Sequence, residues 1–226
     1  MHPNHARGSP SDTRLVSQDD ETPGATESGR RPAVAARGEP NGESAPAKIL
    51  AAAARRVRDA GLVRLSMQDV ATEAGVSKAL IHYHFRDRDA LLARLIEWLT
   101  ERLLTRERAA LDGCKPAEAI DAVWRWIADE LALEELRVLL ELLHDPSPGA
   151  ASAARRAARL RHLEAEATAT RLFALLDLRP RVPVELLSGV VVAVLDGLAL
   201  EATLNPERES RVSFDVFWLA LLSLAE

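Results

Sequence analysis

Two short helical patterns separated by a very tight break limit the folds available to this chain. In residues 66–85, SMQDVATEAGVSKALIHYHF, only Gly75 and Val76 stand between the end of one pattern and the start of the next. The first pattern opens with Ser66 and places Asp69 three residues later, an arrangement typical of a capped helix start. A connection this short makes the two helices cross at a steep angle, as in a helix-turn-helix.

The second of these helices carries polar side chains where a packed helix would carry apolar ones. Ile81 and Phe85, four residues apart, predict the face that packs against the core. The other face is rich in hydrogen-bond donors, which are supplied by Ser77, Lys78, His82 and Tyr83. An α-helix fits the major groove of DNA, where such side chains contact phosphates and base edges. The sequence therefore predicts a double-stranded DNA partner; the competing interpretation is an ordinary helix pair with a solvated polar face.

Positive charge is concentrated in the same region. The whole protein carries a formal net charge of −5, which by itself argues against a nucleic-acid partner. Residues 46–95 hold nine Lys and Arg residues against five Asp and Glu residues, a net of +4, so the remainder of the chain carries −9. A basic segment attached to an acidic body indicates that one region of the molecule meets a polyanion.

The rest of the chain predicts an all-α protein of about nine helices. From Ala47 onward helix-forming residues dominate, Gly and Pro fall between the apolar patterns, and strand-like alternation is absent. Residues 1–45 contain five Gly, five Pro and five Ser and no aromatic residue, a composition that predicts a disordered tail. We therefore predict a tail at 1–45, a helix-turn-helix domain at 46–93 and a larger helical body at 94–226.

The single cysteine and the positions of the apolar runs indicate where in the cell the protein is located. No apolar segment follows a basic start at the N-terminus, and Cys114 is the single cysteine, so we expect no secretion signal and no internal disulfide. The most apolar run, 186–204, includes Asp196 and Glu201, which are costly in a membrane. We therefore predict a cytoplasmic protein without a membrane partner, in which that run is a buried helix.

Residues 49–92 resemble the DNA-binding domain of the tetracycline-repressor (TetR) family of transcriptional regulators. The most specific segments are DVA at 69–71, AGVSK at 74–78, YHF at 83–85 and then Arg88. The resemblance implies a three-helix DNA-binding head, a helical body for ligand binding and dimerisation, and repression relieved by a small molecule. The chain departs from the family pattern at Arg56-Val57, where a Leu-Phe pair is usual, and at His82, where an aromatic residue is common.

The resemblance also assigns roles to individual residues. The start of the second helix, which in the family approaches the DNA backbone, corresponds to Ser66, Met67 and Gln68. The recognition-helix positions correspond to Lys78, Ala79, Leu80, His82, Tyr83 and His84. Arg88 matches a basic residue that binds phosphate from the start of the fourth helix.

The body carries candidates for two further sites. Tryptophans and polar anchors form the candidate effector pocket, namely Trp98, Trp124, Glu141 and His144. Ordinary core packing and solvated faces are the stronger explanation for each of these residues. The last two helical patterns are so apolar that they suit a four-helix interface with a second copy. The predicted interface residues are Leu187, Val191, Val194, Leu198, Phe214, Phe217, Trp218 and Leu221.

These features together predict a homodimeric repressor that binds an inverted-repeat operator and is released by a mostly apolar small molecule. The sequence shows no clustered nucleophile and base and no metal-ligand set, so we predict no catalytic residues, no metal and no cofactor. Two alternatives stay open. One is a helical enzyme or small-molecule-binding protein that keeps the helix-turn-helix as scaffold, and the other is a constitutive DNA-binding protein without an effector.

Overall fold

The structure, a computed structural model, describes residues 44–226. This part of the chain contains nine α-helices, which confirms the predicted fold class and helix number. They are α1 (Ala45–Ala60), α2 (Met67–Ala74), α3 (Lys78–His84), α4 (Arg88–Ala110), α5 (Ala119–Leu133), α6 (Glu135–Leu142), α7 (Pro148–Leu175), α8 (Val184–Leu204) and α9 (Ser210–Leu222). Two short 3-10 helices, Leu62–Arg64 and Pro116–Glu118, precede α2 and α5.

Side-chain caps begin the first four helices. The N-cap residues of α1 to α4 are, in order, Ser44, Ser66, Ser77 and Asp87. Each side chain accepts a hydrogen bond from the backbone N–H three residues later, at distances from 2.8 to 3.4 Å. The hydroxyl of Ser66 also donates to Asp69 Oδ2 at 2.6 Å. These caps satisfy N–H groups that the helices themselves cannot, and they help α2 and α3 to form although both are short.

The turn between α2 and α3 depends on Gly75. This residue ends α2 with a φ of 66° and a ψ of 32°, the left-handed conformation that favours glycine. Its N–H donates to Thr72 O at 3.2 Å, and the N–H of Val76 donates to Ala71 O at 3.0 Å. The two helices are therefore joined with the tight geometry of a helix-turn-helix.

Helix α4 connects the helix-turn-helix to the other helices. It packs on α1, α5 and α6 and most extensively on α7. Near its start, Asp89 accepts hydrogen bonds from the N–H groups of Gly149 and Ala150, at 3.0 Å each, and so caps the beginning of α7. A Cβ on Gly149 would lie 2.8 Å from Asp89 Oδ1, so this close contact depends on glycine.

An ionic network lies at the break between α5 and α6. Glu134 occupies the break with a φ of 55°, although neither Gly nor Pro marks the position in the sequence. Arg106 Nη2 of α4 lies 2.8 Å from Glu130 Oε2 and 2.9 Å from Glu135 Oε2, on either side of the break. Glu130 is completely buried, and removing its partner would leave an uncompensated charge in the interior.

The helix boundaries agree with the sequence pattern. Helix α1 begins at Ala45, two residues before the helix-forming region predicted from Ala47, and α8 includes the whole apolar run 186–204. Residues 1–43, which make up nearly all of the predicted tail, lie outside the described residues. The domain division between 46–93 and 94–226 stays a prediction, because α4 runs continuously through that boundary.

Candidate nucleic-acid interface

Helices α1, α2 and α3 share one apolar core. Ile49, Val57, Val70 and Ile81 have no exposed surface, and Phe85 is 3% exposed. Ile81 and Phe85 therefore form the inward side of α3 and its C-terminal end, in agreement with their predicted role. Burying such side chains stabilises each by about 1.5–3 kcal/mol, which is enough to fix the rotation of α3 about its own axis.

The outward face of α3 is polar and open to solvent. Most of the predicted recognition residues are exposed, namely Ser77, Lys78, Ala79, His82 and Tyr83. Leu80 and His84 are half-buried. Tyr83 leaves 81% of its surface in solvent, which is unusual for a large aromatic residue, and its ring lies edge-on to His84 with centroids 5.0 Å apart. One helix face thus presents hydroxyl, ammonium and imidazole groups outward.

The first turn of α2 contains the other predicted contacts to the DNA backbone. Gln68 is exposed, whereas Ser66 and Met67 are half-buried. Ser66 is engaged as the N-cap, and Met67 packs against the apolar core. Of these three side chains, Gln68 is the one most accessible to a partner.

Arg88 ties the segment before α2 to the rest of the molecule. Its Nε donates to Leu65 O at 3.4 Å and its Nη2 to Leu62 O at 3.2 Å. Its Nη1 lies 3.4 Å from Asp145 Oδ2, in the loop after α6. The Arg88 side chain is 39% exposed, and a guanidinium has five N–H groups, so donors are left over from these three contacts. Phosphate binding by Arg88 stays a prediction and would use those donors.

Other cations of the basic region form ion pairs inside the head. Arg55 of α1 pairs with Glu73 of α2 at 2.9 Å, and Arg58 pairs with Asp59 at 3.0 Å. Exposed pairs of this kind contribute about 0–1 kcal/mol, so a phosphate can replace the carboxylate at little cost. Arg56, at the departure from the family pattern, keeps its Nε buried without a hydrogen-bond partner.

The four predicted effector residues lie in different environments. An arginine guanidinium lies over the Trp98 ring, with its central carbon 4.7 Å from the ring centroid. Trp124 packs against a phenylalanine ring, with the two ring centroids 5.3 Å apart. Glu141 accepts a hydrogen bond from Leu62 N, and His144 Nδ1, in the turn after α6, lies 2.8 Å from a main-chain carbonyl oxygen of α6. The structure does not gather these four side chains around any one cavity within residues 44–226.

The predicted interface residues face inward. Five of them are at most 6% exposed, namely Leu187, Leu198, Phe214, Trp218 and Leu221. The other three, Val191, Val194 and Phe217, are half-buried. All except Leu187 line a cavity between α4, α5, α7, α8 and α9. The same cavity includes Glu107 and Thr168, which sequence reasoning missed because a single polar residue within a long helical pattern usually indicates a solvated face.

The outward faces of α8 and α9 carry a second apolar stripe. Its exposed residues on α8 are Leu186, Val190, Leu200 and Leu204, and on α9 they are Val212, Val216 and Leu219. Each of these side chains is at least half exposed. By length and composition α8 could also cross a membrane, a property it shares with core helices of soluble proteins, and 28% of its apolar window is buried.

Three helices with a solvent-facing third helix, followed by a larger set of helices, form the arrangement typical of a helix-turn-helix protein. Residues 49–95 match the family model of bacterial regulatory proteins, tetR family. The chain is 30% identical over 106 residues to the HTH-type transcriptional regulator CymR of Pseudomonas putida, covering 44% of this chain and 52% of that protein. It is 33% identical over 95 residues to the HTH-type transcriptional regulator BetI of Rhizobium meliloti, covering 41% of this chain and 47% of that protein. The chain thus spans about half the length of these curated relatives.

Solved structures are similar over a longer stretch. A TetR transcription regulator from Haloarcula marismortui matches with a TM-score of 0.66 and 18% identity, covering 80% of this chain and 98% of that one. A transcriptional regulator from Rhodococcus sp. Rha1 matches with a TM-score of 0.65 and 23% identity over the same shares. At these identities the likeness shows the fold. Residues 49–95 thus match the tetR family model, and the fold of the longer stretch is similar to that of a TetR transcription regulator.

Proposed function

We propose that this chain is a DNA-binding transcriptional regulator, a homodimeric repressor that leaves its operator when a small molecule binds the body. The observation that carries DNA binding is the outward face of α3, where Lys78, His82 and Tyr83 are exposed on a helix fixed by its buried face. Such a helix fits the major groove, where lysine reaches guanine or phosphate and hydroxyl groups reach phosphate. CymR and BetI are both HTH-type transcriptional regulators, which supports the same role here.

A homodimer accounts for the outward stripe of α8 and α9. On α8 the exposed positions Leu186, Val190, Leu200 and Leu204 fall on one helix face, and exposed Ala193 and Gly197 lie between them. A continuous exposed apolar surface on two adjacent helices is typical of an interaction site. Two copies of the pair form a four-helix contact, in which each patch covers its symmetry mate. A two-fold dimer places two copies of α3 on two half-sites of DNA.

Release by a small molecule is supported by the reach of α4. This helix begins at Arg88, which contacts the segment before α2, and it reaches the body cavity at Glu107. A ligand that binds more tightly to the protein with α4 in one position favours the corresponding position of the head. The equilibrium between the two positions shifts by the difference between the two binding free energies. The effector is thus expected to bind in the body and to act on DNA affinity through this helix.

Selection from a random DNA pool tests the proposed function. We expect the purified protein to enrich an inverted repeat whose half-sites are separated by about one helical turn, roughly 10 base pairs, or somewhat more. The enriched duplex should bind more tightly than a scrambled duplex of the same composition at the same salt concentration. Equal binding of both duplexes, with no enriched sequence, would contradict a sequence-specific regulator.

A further inference from the structure

The cavity of the body has almost entirely apolar walls. Its volume is about 50 Å³, and it lies between α4, α5, α7, α8 and α9. Aromatic rings from Trp126, Phe214 and Trp218 and aliphatic side chains from α7 and α8 form most of the lining. A wall of this composition favours an apolar molecule with an aromatic or compact aliphatic frame.

Buried polar atoms without partners concentrate at this cavity. Among the described residues, four buried side-chain nitrogen or oxygen atoms have no hydrogen-bond partner, and three of them belong to cavity-lining residues. These are Trp126 Nε1, Thr168 Oγ1 and Trp218 Nε1, on residues that are each at least 92% buried. An unsatisfied buried donor costs about 1–3 kcal/mol, so the two indole N–H groups favour a molecule that supplies a hydrogen-bond acceptor.

A carboxyl group completes the polar part of the wall. Glu107 of α4 is 5% exposed, and burial raises its pKa from 4.5 to about 7. The nearby hydroxyl of Thr168 lowers this pKa, Glu164 raises it, and Arg161 and Arg171 lower it. The Thr168 hydroxyl faces the carboxyl without regular hydrogen-bond geometry. An anion beside Glu107 would be repelled by its carboxylate, and an ion of either sign would lose its hydration in so apolar a place, so the wall favours an uncharged molecule.

We propose that this cavity binds a compact, uncharged, mostly apolar molecule. An oxygen of this molecule accepts hydrogen bonds from the indole N–H groups of Trp126 and Trp218. An indole N–H is a donor only, so the molecule must supply the acceptor. Typical ligand sites measure about 300–1,000 Å³, and we therefore expect binding to widen the space between α5, α7, α8 and α9. The role of this molecule as effector rests on the proposed function, whereas its binding to the cavity does not.

Nuclear magnetic resonance of the indole N–H groups tests the cavity directly. The chain has four tryptophans, so the labelled full chain gives four indole signals, assigned by single Trp→Phe variants. Acetophenone, an aromatic ketone, should move the signals of Trp126 and Trp218 downfield and leave in place that of Trp98, which does not line the cavity. Ethylbenzene, which has the same frame without an acceptor oxygen, should bind more weakly and produce no downfield shift.

Conservative variants test the two donors. Trp218→Phe and Trp126→Phe keep an aromatic ring and lose the N–H, so each should weaken acetophenone binding about three- to tenfold. Neither variant should change ethylbenzene binding by a comparable factor, and Trp98→Phe should change neither. Equal affinity of the unaltered protein for the two compounds, or unmoved Trp126 and Trp218 signals at saturating acetophenone, would overturn the proposal.

Operator binding, measured separately, distinguishes the two claims. Acetophenone that binds the cavity and leaves operator affinity unchanged would remove the effector role and keep the cavity assignment. Failure of the ligand-free protein to bind any specific DNA would contradict the proposed function and leave the nuclear magnetic resonance result standing.

Discussion

Glu141 of α6 accepts a hydrogen bond from the backbone N–H of Leu62, with Oε1 2.6 Å from the nitrogen. Leu62 opens the short 3-10 helix just before α2, so this bond joins the body directly to the helix-turn-helix head. Together with the contacts of Arg88 to the same segment, it fixes where the head lies relative to α6.

Replacement of Glu141 by alanine should loosen this junction. The N–H of Leu62 would lose its partner in a partly buried position, which costs about 1–3 kcal/mol of unfolding free energy. Hydrogen exchange at the Leu62 amide should quicken, and urea denaturation should show the lower stability. Glu101→Ala, at an exposed position of α4, is the matched control and should change neither measurement. If the hydrogen-exchange rate of the Leu62 amide is unchanged in Glu141→Ala, the Leu62–Glu141 hydrogen bond does not stabilise this junction.

Arg88→Ala should affect both stability and DNA binding. The substitution removes donors to Leu62 O, Leu65 O and Asp145, so the free energy of unfolding should fall by about 1–3 kcal/mol. If the remaining N–H groups bind phosphate, affinity for operator and for scrambled DNA should fall together, and the salt dependence should become shallower. Unchanged binding to both duplexes would limit Arg88 to a structural role.

The raised pKa of Glu107 predicts a specific pH dependence. The folded protein binds the Glu107 proton more tightly than the unfolded chain, because the pKa is about 7 in the fold against an ordinary 4.5. The stabilisation from this proton is therefore complete below pH 4.5 and is lost as the pH rises to about 7. Its upper size is on the order of 3 kcal/mol, from about 1.4 kcal/mol per pKa unit.

Comparison with Glu107→Gln separates the pH dependence that comes from Glu107 from the titration of the other carboxyl groups. Urea denaturation at pH 5 and pH 8 should show a larger loss of stability for the unaltered protein than for the variant. Parallel losses in the two proteins would show that Glu107 does not titrate in this range.

The outward stripe of α8 and α9 predicts the oligomeric state. Val216 is 63% exposed in one chain, and a glutamate there would place a charge inside the proposed four-helix contact. Val216→Glu should therefore convert dimer to monomer in light scattering. Val63→Glu is the matched control, because Val63 is 97% exposed on the head and should leave the dimer intact. A dimer that survives Val216→Glu would place the interface elsewhere.

The head could be predicted from the sequence because its signals are local. Ser66, Ser77 and Gly75 each act within a few residues of themselves, through caps and a left-handed turn. The spacing of Ile81 and Phe85 defines the inward side of α3 for the same reason. Such patterns need no knowledge of distant partners.

The body could be predicted only in outline. Helix α8 is apolar on nearly all sides, so periodicity could not decide whether Leu187 or Leu186 faces outward, and the residues predicted for the interface lie on the inward side. The break at Glu134 has no glycine or proline, and long-range ion pairs with Arg106 hold the flanking helices there. The cavity depends on how five helices meet, which no single segment encodes.

Binding titrations with a lysine variant of α3 test DNA recognition most directly. Lys78 is exposed on the outward face of α3, and Lys115 is exposed in the loop before α5. Lys78→Ala should weaken operator binding more than scrambled-duplex binding, by roughly 1–3 kcal/mol if it contacts a base edge, whereas Lys115→Ala should leave both unchanged. Titrations at several salt concentrations separate base contacts from phosphate contacts. If folded Lys78→Ala and Tyr83→Ala keep the operator affinity and salt dependence of the unaltered protein, α3 does not recognise DNA.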